Sequence, residues 1–240
     1  MRGSSVPCAA SSLLHGLIDA PDSALVEVAR TRTSVHYETG RDDVPLLCVC
    51  TPAAVRLPAS LVSPLLPEGR VRITDRALLS EGRRWRVNRW WDPPRPVGLS
   101  PPVVPVRLEG VRRIEGLLPH ELVGLGPGLT PTGDDVLAGA LVAGSATGDP
   151  RLGGWRAGTV TALTRRRTTA VSRALLHHAL TGWATPELAD FLTAACSGVP
   201  DEGDSRLDRL LSVGHTSGAA LASGALHVLE THPSVERRAA

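Results

Sequence analysis

The chain contains no lysine, and all of its basic side chains other than histidine are arginines. That absence excludes Schiff-base chemistry on an amine side chain. It also excludes the common phosphate-cradling nucleotide loop, whose second glycine is followed by lysine. Net charge is equally scarce, at +2 over 240 residues, while 42% of the residues are hydrophobic. Disorder and a partner held mainly by electrostatics, such as nucleic acid, are both disfavoured. No apolar run suits a membrane span, because the longest weakly polar stretch, 136–146, is too short and too rich in glycine. The apolar patch at 13–18 is interrupted by His15 and lacks the hydrophobic region and cleavage site of a secretory leader. The expectation is a cytoplasmic protein with no membrane or nucleic-acid partner. Cysteines are few: Cys8, Cys48, Cys50 and Cys196. Cys48 and Cys50 fall two apart on an expected strand and so share a face. Without C-x-x-C spacing or neighbouring histidines they read as buried free thiols rather than a zinc site.

What is present divides at proline. Pro93, Pro94, Pro96, Pro101, Pro102 and Pro105 make 92–106 an extended linker, since proline at this density suits neither a central strand nor a helix interior. The expected modules are 1–107, ending in that linker, and 108–240. In the first, Asp22 is placed to cap a helix over 24–29. SVHYETG and VPLLCVCTP, separated by residues 40–43, read as a hairpin. Further strands are expected over 70–74, 76–79 and, after a Glu81-Gly82 turn, 83–91. The last of these, RRWRVNRWW, alternates arginine with tryptophan as a single-strand nucleic-acid platform would. Period-two alternation instead puts Trp85, Val87 and Trp91 on one face and Arg84, Arg86 and Asn88 on the other, the pattern of a half-buried strand. Beyond the prolines a short turn at 119–123 precedes helices over 134–146, 156–163, 168–180, 186–196 (ended by Gly198), 205–213 and 217–230. The fold class is α+β: an N-terminal β-rich module followed by a C-terminal α-helical domain, with strand topology left open.

The organising stretch is LVGLGPGLTPTGDDVLAGALVAG, 122–144. Its glycines permit a tight loop. Thr132, with Asp135 three residues on, has the pattern of a capping box for a helix beginning near Gly133. The free amides of that helix start, with the glycine loop and its hydroxyls (Gly126, Gly128, Thr130, Thr132 and Gly133), would suit phosphate or carboxylate. Asp134 and Asp135 either complement the helix dipole or belong to the site. Two other helix starts carry similar groups: Arg167, Thr168, Thr169 and Ser172 after an arginine run, and His215, Thr216 and Ser217 before the last helix. Aligning Gly133 with Gly218 sets Thr132 against Ser217, Gly139 against Gly224 and Asp134-Asp135 against Ala219-Ala220. This is either an internal duplication or a shared close-packing constraint. The functional reading is one pocket built from three helix starts, in which amides and hydroxyls hold a small anion and Arg167 balances its charge. Asp134 or Asp135 would then orient an amide N–H or hold a divalent cation through oxygen. His177 and His178 fall mid-helix, and at least one reads as structural.

Three blocks carry a resemblance to a known family: GLGPGLTPTGDDVLAG at 124–139, TTAVSRALLHHA at 168–179 and GHTSGAALASG at 214–224. They resemble the bacterial AllH-like family, formerly a domain of unknown function, named for a subunit of oxamate carbamoyltransferase in anaerobic allantoin degradation. The first block is the specific one. The family commonly has an acid where this chain has Ala219-Ala220, which leaves His215, Thr216 and Ser217 as the polar groups of the second loop. The resemblance implies a subunit of a system that converts oxalurate and phosphate to oxamate and carbamoyl phosphate in purine and allantoin nitrogen catabolism. Its partners would be those small anions and other carbamoyltransferase subunits, with Asp134 and Asp135 as the candidate catalytic acids. The residues themselves also leave open a non-catalytic partner subunit that binds a small anion, because no nucleophile with a paired base is evident.

Overall fold

The computed structural model describes residues 4–102, 114, 116–197 and 202–235. The chain forms two compact units, Met1–Pro93 and Pro94–Ala240. The first contains β1 (Ser5–Ser11), a single 3-10 turn, α1 (His15–Ile18), β2 (Ser23–Arg30), β3 (Ser34–Glu38), β4 (Leu46–Cys50), β5 (Ser60–Val62), β6 (Val71–Thr74), β7 (Ala77–Ser80) and β8 (Arg83–Trp91). The strands close into a barrel in the order β1-β5-β4-β3-β2-β6-β7-β8, sealed by the parallel β8–β1 pair. Closure gives each of these strands a neighbour on both sides. Val6, Tyr37, Val49, Leu61, Ile73, Leu78 and Trp85 belong to its core.

The expected β3–β4 hairpin is present and antiparallel. Two local expectations fail for non-local reasons. Residues 24–29 are not a helix but part of β2, which pairs with β3 on one side and β6 on the other. A six-residue helix is marginal in isolation, whereas the barrel ladders Ser23, Ala24 and Leu25 to β6 and Val26, Glu27, Ala29 and Arg30 to β3, with Val28 in a bulge. In β8 the alternation slips. Val87 pairs with Cys8 but Arg89 with Ala9, so Asn88 is an extra residue in a bulge. Trp90, not Trp91, therefore joins Trp85 and Val87 on the core side, stacked 3.7 Å from His15. Trp91 lies instead beneath Arg56. Cys8, Cys48 and Cys50 are buried and free, and Cys196 is free and half-buried.

In the second unit the residues after Pro94 run along the helices. Ala184 N–H donates to the Pro94 carbonyl at 3.0 Å and Leu99 N–H to that of Ala146 at 2.9 Å. The expected boundary at residue 107 and the stop at Gly198 lie outside the described residues. The helices are α2 (Pro119–Leu122), α3 (Thr132–Thr147), α4 (Leu152–Arg165), α5 (Ala170–Leu180), α6 (Pro186–Ser197), α7 (Glu202–Leu211) and α8 (Ser217–Glu230). No helix among the described residues is long and apolar enough to cross a membrane.

Helix α3 is buried on every side from Gly133 to Gly144, as its unbroken run of small and apolar residues requires. Its main neighbour is α8, and glycine sets their separation. A Cβ on Gly139 would lie 2.0 Å from the Leu221 carbonyl oxygen, and one on Gly224 would lie 1.9 Å from that of Val136. Gly139 aligns with Gly224, and Val136 with Leu221, at the same offset that aligns Gly133 with Gly218. Each helix thus presses its glycine on the carbonyl equivalent to the one its partner presses on, which is the contact pattern of a local two-fold. Thr130 and Ser217, at the two helix starts, also bond to each other at 2.8 Å, so the pair runs parallel with both N-termini at one end. Both readings of the sequence, a duplication and a shared close-packing constraint, produce this contact pattern.

Gly224→Val is expected to lower stability by about 1–3 kcal/mol or more by forcing this backbone contact apart. Gly153→Ala, on exposed α4 with nothing within 4 Å of its added methyl, is expected to be neutral or stabilising. Urea unfolding of both variants checks the contrast.

Candidate functional site

The site is organised by the first turn of α3. Helix α3 begins at Thr132, one residue earlier than expected, and the expected capping box does not form. Pro131 is the cap residue, and no side chain caps the helix. Backbone carbonyls take the place of a capping side chain. Gly133 N–H donates to the Leu125 carbonyl at 2.9 Å, and the amides of Asp134 and Asp135 donate to that of Pro131 at 2.9 and 3.2 Å. These amides, expected to face a ligand, are engaged within the protein. Thr132 itself is exposed.

The carboxylates are released from capping and turned inward. Asp134 is 0% exposed and Asp135 1%. Both Asp134 oxygens are occupied: Oδ1 accepts the Gly124 amide at 2.9 Å, and Oδ2 accepts the Thr168 hydroxyl. Asp134 thereby ties the loop to the start of α5. Gly124 completes the tie, with φ +74° and a position where a Cβ would meet the Arg167 carbonyl oxygen at 2.3 Å. Gly124 is not among the expected site residues, although it opens the GLGPG run.

Thr169 is the N-cap of α5. Its oxygen accepts the Ser172 amide at 3.0 Å, while its hydroxyl donates to the Leu129 carbonyl at 2.6 Å. It therefore acts as a cap and a loop clamp. The Thr130–Ser217 bond fixes the far end of the loop to α8. Between these anchors the residues 125–129, including Gly126 and Gly128, are exposed. Three helix starts, those of α3, α5 and α8, are thus brought together as expected. Ser217 reaches this junction, whereas His215 and Thr216 stay on the surface, as does Arg167. His178 is buried in α5, its Nε2 without a partner and its pKa pushed down to about 3 by burial and the neighbouring His177.

Asp135 differs from its neighbour. Burial pushes its carboxyl up to about 7; the Ser217 and Thr130 hydroxyls, hydrogen-bonded to it, pull against that, and the adjacent Asp134 adds to the rise. Its Oδ2 has no hydrogen-bond partner, and neither has Oγ of Ser172, which is 0% exposed. A buried polar atom without a protein partner calls for an explanation, of which an ordered water, an ion or a ligand are the usual ones. The arrangement can carry a proton near neutral pH and accept a hydrogen bond from a ligand. For a divalent cation, Asp135 offers one open oxygen and Asp134 none. Among the described residues, no group of three or more His, Cys, Asp or Glu is placed to hold a metal ion.

Residues 122–229 match the family model described as oxamate carbamoyltransferase subunit AllH. The matched span contains the loop and all three converging helix starts. No solved structure matches the chain.

The raised carboxyl of Asp135 has a direct consequence for stability. With its folded value near 7 and the ordinary value at 3.8, the folded state holds the proton more tightly than the unfolded chain. Stability is then full below pH ~4 and declines as pH rises towards 7. Asp135→Asn removes that decline. It is expected to raise the melting temperature relative to the parent at pH 8 but not at pH 4, a differential on the order of a few kcal/mol. Melting curves across this range measure it.

Proposed function

We propose, taking the AllH match across residues 122–229 as the premise, that the protein is a subunit of an oxamate carbamoyltransferase-type system acting in the cytoplasm in purine and allantoin nitrogen catabolism. The loop 124–135, with the starts of α5 and α8, holds a small anionic substrate of that system. The observation that carries this reading is that the starts of α5 and α8 meet the first turn of α3 at two buried carboxyls, one of which, Asp135, keeps an open oxygen. Structural packing alone favours filling such a position with an apolar side chain.

The chemistry is physically compatible with these groups. A phosphate oxygen bonds to the ureido carbon of oxalurate, the bond from that carbon to the oxamate nitrogen breaks, and the proton of hydrogen phosphate passes to that nitrogen. Every charge is conserved, and the step needs a group able to hold a proton near neutral pH. Asp135 is that group. Arg167, exposed beside the loop, is suited to an anionic end of the substrate, and positive ends of parallel helices stabilise charge that develops on oxygen.

A second reading, a ligand-binding partner that does no chemistry itself, is favoured by one observation. His215, the histidine of the loop motifs, is exposed and away from the buried carboxyls. Chemistry would then be completed by partner subunits.

The test is formation of carbamoyl phosphate from oxalurate and phosphate, with the protein alone and mixed with its partner subunits. Turnover is expected only in the mixture, and Asp135→Asn is expected to reduce it by about a hundredfold, the scale of a lost proton-transfer group. Partners that turn over equally well without this protein sink the subunit reading. Full activity with the variant favours the non-catalytic reading.

A further inference from the structure

We propose that Asp135 Oδ2, beneath the Thr130–Ser217 hydroxyl pair, accepts an N–H of the ligand, so that a primary amide or ureido group enters the three-helix junction and the ligand's anionic end stays outside, towards Arg167. This rests on the reading of the loop as a ligand site, and it sets the direction in which the ligand lies.

A helix start normally invites an anion. Here that invitation is already answered. The amides of Gly133, Asp134 and Asp135 donate to the Leu125 and Pro131 carbonyls, so an entering phosphate or carboxylate finds no donor among them. It finds the two buried carboxyls of Asp134 and Asp135, and like charges at close range in a poorly solvated place repel strongly. Asp135 Oδ2 and Ser172 Oγ are among the buried atoms left without partners. An ionised carboxylate oxygen accepts only, so its missing partner is a donor. Both residues are at least 99% buried, and the energetic need for a partner at these atoms is correspondingly large.

The way in is the loop. Residues 125–129 are exposed, and the Thr130–Ser217 bond at 2.8 Å is their attachment to α8. Both of these hydroxyls also bond to Asp135, so in this proposal the ligand reaches the carboxyl where the two part. A neutral NH₂ can donate to the open Oδ2, whereas a second oxyanion cannot.

Oxamate and oxalate separate the alternatives, because they differ by NH₂ in place of O⁻. Calorimetric titration of the full chain at pH 8 is expected to show oxamate bound at least tenfold more tightly, even though oxalate carries the greater charge for Arg167. Below pH ~7 oxamate affinity is expected to fall by up to tenfold per pH unit as Asp135 takes up a proton. Asp135→Asn, which cannot ionise, is expected to lose both the preference and the pH dependence. If that variant fails to fold, the pH profile of the parent protein decides alone. Oxalate bound as tightly as oxamate at pH 8, a pH-independent ratio, or binding of neither compound each overturns the proposal. Carbamoyl phosphate formation by the mixed subunits alongside equal oxalate and oxamate affinity would leave the subunit reading standing while this inference falls. An oxamate preference with inactive mixtures would do the reverse.

Discussion

The helical unit depends on the contact between α3 and α8, where two glycines let two backbones meet. With Gly139 against Leu221 and Gly224 against Val136, the parallel helices approach more closely than any side chain would permit. Parallel packing brings two positive helix ends to one place. Antiparallel packing would have let the macrodipoles cancel. The cost of that alignment must be met locally, and two aspartates in the first turn of α3 meet it.

Those aspartates do not act alike, and the difference comes from their partners rather than their burial. Asp134 is saturated by Gly124 and Thr168, so it fixes loop and helix together. Asp135 retains an open oxygen and a carboxyl that titrates near neutrality. One residue of displacement along a helix turns the side chain by about 100°, enough to separate a saturated acid from one with an open oxygen. Residue type gives no hint of this division.

Much of the helical half was readable because its signals are local. The start of α8 at Ser217, Pro186 at the start of α6 and the cluster of Thr130, Asp134, Thr168 and Ser217 follow from glycine, proline and hydroxyl placement. The capping box at Thr132 and Asp135 misled, since the same spacing also serves a helix whose cap is the backbone of Pro131 and Leu125. The barrel was less legible. Strand β1 is held by β5 and β8, far away in sequence, and the bulge at Asn88 that exchanges the roles of Trp90 and Trp91 appears only when Cys8 and Ala9 are laid beside it. Strand β2 read as a helix because Asp22 resembles a cap, while its actual ladder partners lie on β3 and β6.

The alanines at 219 and 220, aligned with the acids of α3, bear on symmetry. A fully symmetric pair would place four carboxylates around one axis and present the same face to a ligand in two opposed directions. With acids from one repeat and a hydroxyl from the other, the axis survives in the backbone but not in the chemistry. The junction therefore has an acidic side and a hydroxyl side, and is polar along a line where a true two-fold would be blind to direction.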